Sequence, residues 1–195
     1  ILELIEKQLE NWRYPVVRLR HRPSLVPILS SFKYGKEGAE QRAASSLPRQ
    51  GKNNNQLLSI VRFSYYLLDY MIGQWYIKLR YVSQGKLVIY DRYYFDFMAD
   101  PRRSNLNLPQ WLTKLCWKFI QTPDLNILLL ADPEIIIKRK QELSLETIGL
   151  LNKKYGNTFA CLANKNPNAY LQINNTNISH TLATITHTLE TRLGL

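Results

Sequence analysis

An aspartate and an arginine stand side by side just after the stretch most typical of a buried strand. Residues 87–89 are consecutive apolar residues that follow a Gly-Lys turn signal, and Asp91 and Arg92 come shortly after them. A carboxylate in that position can hold a hydrated Mg²⁺, and a guanidinium can grip a phosphate through two parallel hydrogen bonds. The pair therefore indicates phosphate chemistry, and a plain strand-end ion pair is the structural alternative.

A further arginine, Arg62, lies within an apolar stretch that is predicted to be a long helix. A buried arginine is costly unless it meets an anion or a carboxylate, so Arg62 is a candidate ligand contact. The alternative is a salt bridge with a residue such as Asp69 or Asp91, because pairing is the usual way in which proteins tolerate a buried charge.

Aromatic, acidic and basic side chains alternate in the segment after Arg92, residues 93–103. Tyr93 and Tyr94 begin this segment, and Arg102 and Arg103 end it. Aromatic faces beside arginines suit a planar base that carries a phosphate. A loop docked by its aromatic side chains is the alternative interpretation.

Strand-like runs alternate with helical patterns along the whole chain. The predicted strands cover residues 16–20, 87–89, 125–130 and 169–173, and the predicted helices cover residues 1–12, 56–82, 109–120, 133 onward, 144–155 and 178–193. Apolar strands that alternate with helices predict a doubly wound α/β fold, with a parallel sheet and helices on both faces. Ligands of such sheets bind beyond the carboxyl ends of the strands, where Asp91 and Arg92 are expected.

Several local features of these elements can be predicted as well. Asp132 and Ser144 are expected to cap helices, and Gly156 is expected to end the second of them. Residues 23–55 are predicted to form a loop region with one short helix over residues 25–32. The predicted inward faces are, in helix 56–82, Leu57, Ile60, Val61, Leu67, Leu68, Met71, Trp75 and Leu79, and in helix 109–120, Trp111, Leu112, Leu115, Cys116 and Phe119.

The composition is that of one globular domain with a strongly basic balance. The 195 residues include 26 Lys and Arg against 15 Asp and Glu, which gives a net charge of +11 and favours anionic partners. Two cysteines and three scattered histidines make neither a disulfide framework nor a His-based metal site, which fits a reducing cytoplasm. Charged and polar residues interrupt the most apolar stretch, residues 57–79, so no transmembrane segment is expected.

At two places the sequence is similar to the thymidylate kinases. Tyr90-Asp91-Arg92-Tyr93 resembles the Asp-Arg-Tyr motif of that family, and residues 124–134 with Lys138-Arg139-Lys140 resemble its fourth strand and the start of its mobile lid. The resemblance spans nearly the whole chain. It implies a P-loop NTPase-type fold, a single domain over residues 1–195 with a lid at about 138–157, ATP and Mg²⁺ as cofactors, and a possible homodimer.

The resemblance also implies roles for individual residues. Asp91 would organise the Mg²⁺ and its water, and Arg92 would hold the phosphate of the acceptor. Arg62 would contact the acceptor nucleotide. Arg139, with Lys140, would belong to the lid that closes over the donor phosphates. Phosphoryl transfer asks mainly for positioning and charge neutralisation, which suits such a basic set of residues.

Two features depart from the family pattern. The Gly-rich loop G-x-x-x-x-G-K-[ST], which cradles donor phosphates, does not occur in these 195 residues. Residue 1 falls where the helix after that loop should begin, so the first strand and the loop are expected to be missing by truncation. In the lid, Leu150 and Leu151 stand where a further arginine is expected, and Lys153 and Lys154 could substitute for it.

Two function hypotheses follow from different classes. The first is ATP-dependent phosphoryl transfer to a nucleoside monophosphate such as thymidylate, or to a related small acceptor. The second is a non-catalytic basic module that binds nucleic acid or another polyanion, which the net charge and the arginines among tyrosines favour. Against the second, the basic residues are dispersed along the chain and no nucleic-acid-binding motif is visible.

Overall fold

The computed structural model describes residues 1–23, 25–27, 49, 51, 53–139 and 141–194. The short helix that the sequence predicts over residues 25–32 lies largely outside these residues. The strands are β1 (Val16–Arg20), β2 (Leu87–Asp91), β3 (Asn126–Leu130) and β4 (Tyr170–Asn174). The α-helices are α1 (Leu2–Asn11), α2 (Gln56–Arg80), α3 (Phe95–Ala99), α4 (Gln110–Cys116), α5 (Pro133–Arg139), α6 (Leu145–Ala163) and α7 (Ile178–Leu193).

The chain divides into two compact units. The first unit contains Ile1–Arg18, Gly85–Ile89 and Pro123–Leu195, and the second contains Leu19–Gln84 and Tyr90–Thr122. The division falls within β1 and within β2, so each unit holds part of both strands.

The strands pair in parallel, as the sequence predicts. β3 and β4 run in register from Asn126 opposite Tyr170 to Leu130 opposite Asn174. In the other pair, the Leu87 amide donates to the Pro15 carbonyl before the strands begin, and the His21 amide donates to the Asp91 carbonyl where they end. The bonds advance in the same direction along β1 and β2, which is the pattern of a parallel ladder.

In the first unit, helices cover both faces of the β3–β4 pair. Ile5 and Leu9 of α1, Ile185 of α7 and Ile173 of β4 form the buried cluster on one face, against which Ile127 and Leu129 of β3 pack. Helix α6 lies on the other face, where Gly156 approaches the neighbouring side chain of β3, Leu130. This two-sided cover is the arrangement predicted for a doubly wound sheet.

The caps of the helices in the first unit partly match the sequence prediction. The Ser144 hydroxyl accepts a hydrogen bond from the Thr147 amide, and α5 begins at Pro133, directly after Asp132. The predicted end at Gly156 is wrong, because α6 continues to Ala163. A glycine costs a helix only about 1 kcal/mol relative to alanine, so the surrounding helical residues carry α6 through that position.

In the second unit, α2 buries the opposite face from the one predicted. The buried side chains include Phe63, Tyr70 and Ile77, and Phe63 and Tyr70 are almost completely enclosed. The predicted inward residues are instead largely exposed: Leu57, Ile60, Val61, Leu68, Met71, Trp75 and Leu79. The physical reason is that large aromatic side chains bury more area than aliphatic ones and make ring contacts with one another.

The predicted inward face of helix 109–120 is wrong as well. Trp111 and Phe119 are each more than 60% exposed, and Leu115 is 46% exposed. The helix α4 ends at Cys116 and a 3₁₀ turn follows it, so the regular helical spacing does not persist to Phe119. The aromatic that packs inward is Trp117, whose ring lies 5.2 Å from that of Phe95.

Candidate functional site

The carboxyl ends of β1 and β2 meet in the second unit. The His21 amide donates to the Asp91 carbonyl at 2.9 Å, so the residue after β1 lies beside the last residue of β2. Asp91 is half-buried, and Arg92 follows it directly. The sequence-predicted pair therefore lies at a strand-end edge, which is where ligands of open α/β sheets bind.

Arg92 has an unusual backbone conformation. Its φ of 77° lies in the left-handed region, which side chains other than glycine rarely adopt. Its Nη1 lies 3.3 Å from Oδ2 of Asp96, one helical turn further along, and the Arg92 side chain remains 39% exposed. This strained backbone conformation places a partly exposed guanidinium at the strand end.

His21 is the neighbour of this arginine at the end of β1, with a φ of 67°. Its Nδ1 lies 4.0 Å from Oδ2 of Asp96. Burial lowers the pKa of His21, the Asp96 carboxylate opposes that effect, and the guanidinium groups of Arg92, Arg22 and Arg103 lower the pKa further. These arginines therefore make the strand-end edge electrostatically positive around a neutral imidazole.

A second buried carboxylate, Asp100, lies one turn beyond Asp96. It is 2% exposed, and Oδ1 lies 3.2 Å from Nε of Arg49. Within the part of the chain that the structure describes, neither carboxylate oxygen makes a hydrogen bond of good geometry. Burial raises the pKa of Asp100 against the opposing effects of Arg49 and Arg103. Carboxylates and guanidiniums thus alternate beside the strand end.

Arg62 lies on α2 in the second unit and is half-buried. Asp69, one of the carboxylates considered as its partner, is instead paired with Arg22, whose Nη1 lies 2.6 Å from Oδ2 of Asp69. Within the described residues Arg62 has no ion-pair partner. Its guanidinium is therefore available to an anion.

Tyr93 and Tyr94 lie in the aromatic core of the second unit. Tyr93 is 5% exposed and Tyr94 is 0% exposed. Their hydroxyls donate to the carbonyls of Gln121 at 2.5 Å and Thr113 at 2.9 Å, respectively. The geometry fits the alternative interpretation, in which this segment is docked by its aromatic side chains.

The residues assigned to the donor side lie in the first unit. Arg139 is the last residue of α5, its side chain is exposed, and Nη2 lies 3.4 Å from the Thr176 carbonyl. Lys140 lies outside the described residues. Residues 138–157 therefore span the end of α5 and most of α6.

Four further ionisable residues lie at this edge of the second unit: His21, Arg22, Asp96 and Asp100. His21 and Arg22 belong to a basic cluster at the end of a predicted strand, which was a usable signal. Asp96 and Asp100 follow Arg92 at a spacing of one helical turn, a pattern that indicates side chains on one face of a helix.

Two kinds of feature are absent from the described residues. They contain no group of three or more His, Cys, Asp and Glu side chains that could hold a metal ion. Nor do they include a helix whose length and apolar character would let it cross a membrane.

The comparison with known protein families gives one match. The sequence model described as thymidylate kinase matches residues 34–185, and no curated protein matches the chain. That family has the P-loop NTPase α/β fold, in agreement with the parallel strands and flanking helices, and its general activity is phosphoryl transfer to nucleoside monophosphates. Because the match covers most of its length, the chain belongs to the thymidylate kinase family.

Proposed function

We propose that this protein transfers the γ-phosphoryl group of ATP to a nucleoside monophosphate such as thymidylate, or to a related small acceptor. The observation that carries the proposal is the Asp91-Arg92 pair at the joined ends of two parallel strands, with Arg92 held at a φ of 77°. Strain of this kind persists where the surrounding structure fixes it, and it is concentrated at ligand sites.

In this proposal, Arg92 holds the acceptor phosphate through its planar guanidinium. Arg62, which has no ion-pair partner among the described residues, contacts the acceptor nucleotide. Bidentate hydrogen bonds from an arginine give both charge neutralisation and orientation. Tyr93 and Tyr94 support the strand-end turn from the core, and they are assigned no direct contact with the acceptor.

The cofactors we propose are ATP and Mg²⁺. Asp91 fits the metal, because Mg²⁺ keeps several waters and commonly takes only one or two carboxylates from the protein. Arg139 and Lys140 are assigned to the donor phosphates, within a lid at about residues 138–157. When bound, the metal and these cations neutralise the charge that develops on the transferring group.

The test is an activity assay of the whole gene product. We expect Mg²⁺-dependent ATP consumption with one member of a panel of nucleoside monophosphates, and a loss of at least about a hundredfold in kcat/KM for Arg92→Ala. Arg80→Ala, an exposed arginine at the end of α2, is the matched control. Turnover that is equal in both variants would overturn the assignment of Arg92.

The second candidate, a polyanion-binding module, is supported by the net charge of +11 alone.

We propose a cytoplasmic location, which fits the two free cysteines, Cys116 and Cys161.

We also propose that the protein assembles as a homodimer, and the outer face of α2 supports this. Six apolar residues of this face lie within a narrow sector of the helix, and each is more than half exposed. We call them the α2 stripe: Leu57, Val61, Leu68, Ile72, Trp75 and Leu79. These side chains offer on the order of 700 Å² of apolar surface, close to the roughly 800 Å² that each partner contributes to a standard interface. Monomers rarely expose an apolar patch of that size.

An antiparallel pairing of two α2 stripes is favoured by charge. Lys78 and Arg80 lie in the last turn of α2, and a parallel pairing would bring the four cations of two copies together. An antiparallel pairing separates them and aligns the helix dipoles favourably. Leu68 then meets its own copy, and Val61 meets Trp75 of the partner subunit.

Sedimentation of the wild-type chain and of Leu68→Glu tests this pairing. We expect a dimer for the wild type and a folded monomer for the variant, because the substituted side chain is 53% exposed and leaves the buried face intact. Leu4→Glu, at a 44% exposed leucine of α1, is the matched control and should remain dimeric. A monomeric wild type, or a dimer that survives Leu68→Glu, would overturn the proposal.

A further inference from the structure

The segment that follows β1 is fastened along one face of α2. We call its described residues, 21–23 and 25–27, the strap. Asp69 of α2 is the central contact: Oδ2 accepts from Arg22 Nη1 at 2.6 Å, and Oδ1 accepts from the Val26 amide at 3.0 Å. Arg22 Nη1 also donates to the Val26 carbonyl at 2.9 Å. The buried Arg22–Asp69 pair therefore links two parts of the strap to each other and to the helix.

Neighbouring turns of α2 hold the strap on either side of this pair. The Tyr65 hydroxyl donates to the Pro27 carbonyl at 2.8 Å, and the Tyr66 ring lies 5.3 Å from the guanidinium carbon of Arg22. The Tyr70 hydroxyl donates to the His21 carbonyl. Residues 65–70 of α2, a little under two helical turns, thus hold a segment of six described residues.

A glycine on α2 also allows the strap to pack closely against the helix. Gly73 lies against Pro23, and a β-carbon at position 73 would collide with the proline ring. Because the helix itself disfavours glycine, its presence here is explained by the close approach of the strap.

The strap begins where the candidate site lies. His21, its first residue, donates from its amide to Asp91 and lies close to the Arg92 guanidinium. A shift of the strap would therefore move His21. This residue lies beside Asp91 and Arg92, which we assign to the metal and to the acceptor phosphate.

We propose that Asp69 is a positioning residue for the acceptor site: by holding Arg22 and Val26 it fixes the strap, and through the strap the joined ends of β1 and β2. This inference rests on the proposed function. Asp69 is 1% exposed and Arg22 is 6% exposed, so the pair is fully desolvated. Apolar residues of similar volume often stabilise a fold as well as such a pair does, so we assign this pair to fixing one arrangement of the strap.

The test compares Asp69→Asn with the wild type in the whole gene product. Asparagine keeps an oxygen for the Val26 amide but removes the charge that faces Arg22. We expect faster hydrogen exchange at the amides of the strap and of Asp91 and Arg92. We also expect a KM for the acceptor that rises by about tenfold or more, with an unchanged KM for ATP. Asp124→Asn, at an exposed carboxylate of the first unit, is the matched control.

A milder variant covers the case in which Asp69→Asn does not fold. Tyr65→Phe removes only the hydroxyl that holds Pro27, and a smaller rise in the acceptor KM in the same direction would support the proposal. Equal changes in both KM values, or faster exchange with no change in either, would overturn it. A wild-type protein without turnover would count against the proposed function alone, and the exchange at Asp91 and Arg92 would then decide the role of Asp69.

Discussion

The residue with the clearest conflict between stability and function is Arg92. Its left-handed backbone costs roughly 1 kcal/mol relative to glycine, and its ion pair with Asp96 is too exposed to repay much of that cost. This strain supports our proposal that the guanidinium of Arg92 binds a ligand.

A pair of substitutions separates the two contributions of Arg92. We expect Arg92→Gly to be more stable than Arg92→Ala by about 1 kcal/mol, because only glycine relieves the strain. Both variants should lose affinity for the acceptor phosphate to the same extent. Chemical denaturation measures the first effect and titration with a nucleoside monophosphate measures the second. Equal stabilities of the two variants would show that the backbone is not strained.

Asp100 should give the fold a measurable pH dependence. Burial raises its pKa, so the folded chain keeps this proton to a higher pH than the unfolded chain does. The stability that Asp100 contributes is therefore complete at low pH and is lost as pH rises through the ordinary carboxyl range towards the raised pKa. We expect the melting temperature of Asp100→Asn, relative to wild type, to increase between about pH 3.5 and about pH 7. Asp124→Asn should show no such trend, and a flat difference for Asp100→Asn would contradict the assignment.

At the scale of elements, helix positions could be predicted, whereas the buried faces of α2 and α4 could not. The 3.6-residue period of apolar side chains locates α2 well, but that helix is apolar on several sides. The aliphatic face, with Leu68 and Ile72, satisfies the period as well as the aromatic face with Phe63 and Tyr70. Which face is buried depends on the aromatic residues of 93–97. Their contacts with α2 are tertiary contacts, which helical periodicity does not predict.

The strap shows the same limit for charged residues. Arg22 and Asp69 are 47 residues apart in sequence, and the sequence alone suggests Asp69 only as a partner of Arg62. The sequence offers Asp69 a nearer arginine, Arg62, at a spacing of about two helical turns. Only the path of the strap along α2 decides between these partners.

Two helical glycines provide a matched prediction at this scale. Gly156 lies within α6, where a β-carbon would meet Leu130 Cδ1 at an ordinary 3.9 Å, whereas Gly73 lies against Pro23 with no such space. We expect Gly156→Ala to stabilise the fold by about 0.5–1 kcal/mol and Gly73→Ala to destabilise it by about 1–3 kcal/mol. Denaturant titration of both variants measures this contrast, and a stabilising Gly73→Ala would contradict the close approach of the strap.

At the scale of the whole molecule, the fold class could be predicted because it needs only the order of the elements. Alternating strands and helices imply parallel pairing, and both described strand pairs are parallel. The arrangement of carboxylates and guanidiniums beside Arg92 needs the path of the chain after β2 as well. The sequence therefore predicts the strand end at which the candidate site lies, but not how the neighbouring charged side chains are arranged there.

The net charge of +11 leads to a prediction that separates the two function hypotheses. Any cation-rich protein attracts polyanions at low salt, and binding that depends on displaced counterions falls steeply as salt is added. We expect affinity for a short single-stranded DNA to fall by about a hundredfold or more between roughly 50 and 200 mM salt. Binding of a nucleoside monophosphate to the whole gene product should depend on Arg92 and change much less, since it uses one or two charges. Fluorescence anisotropy across this salt range measures both. A DNA affinity that persists at the higher salt, together with no response to nucleotides, would favour the polyanion-binding module over the kinase.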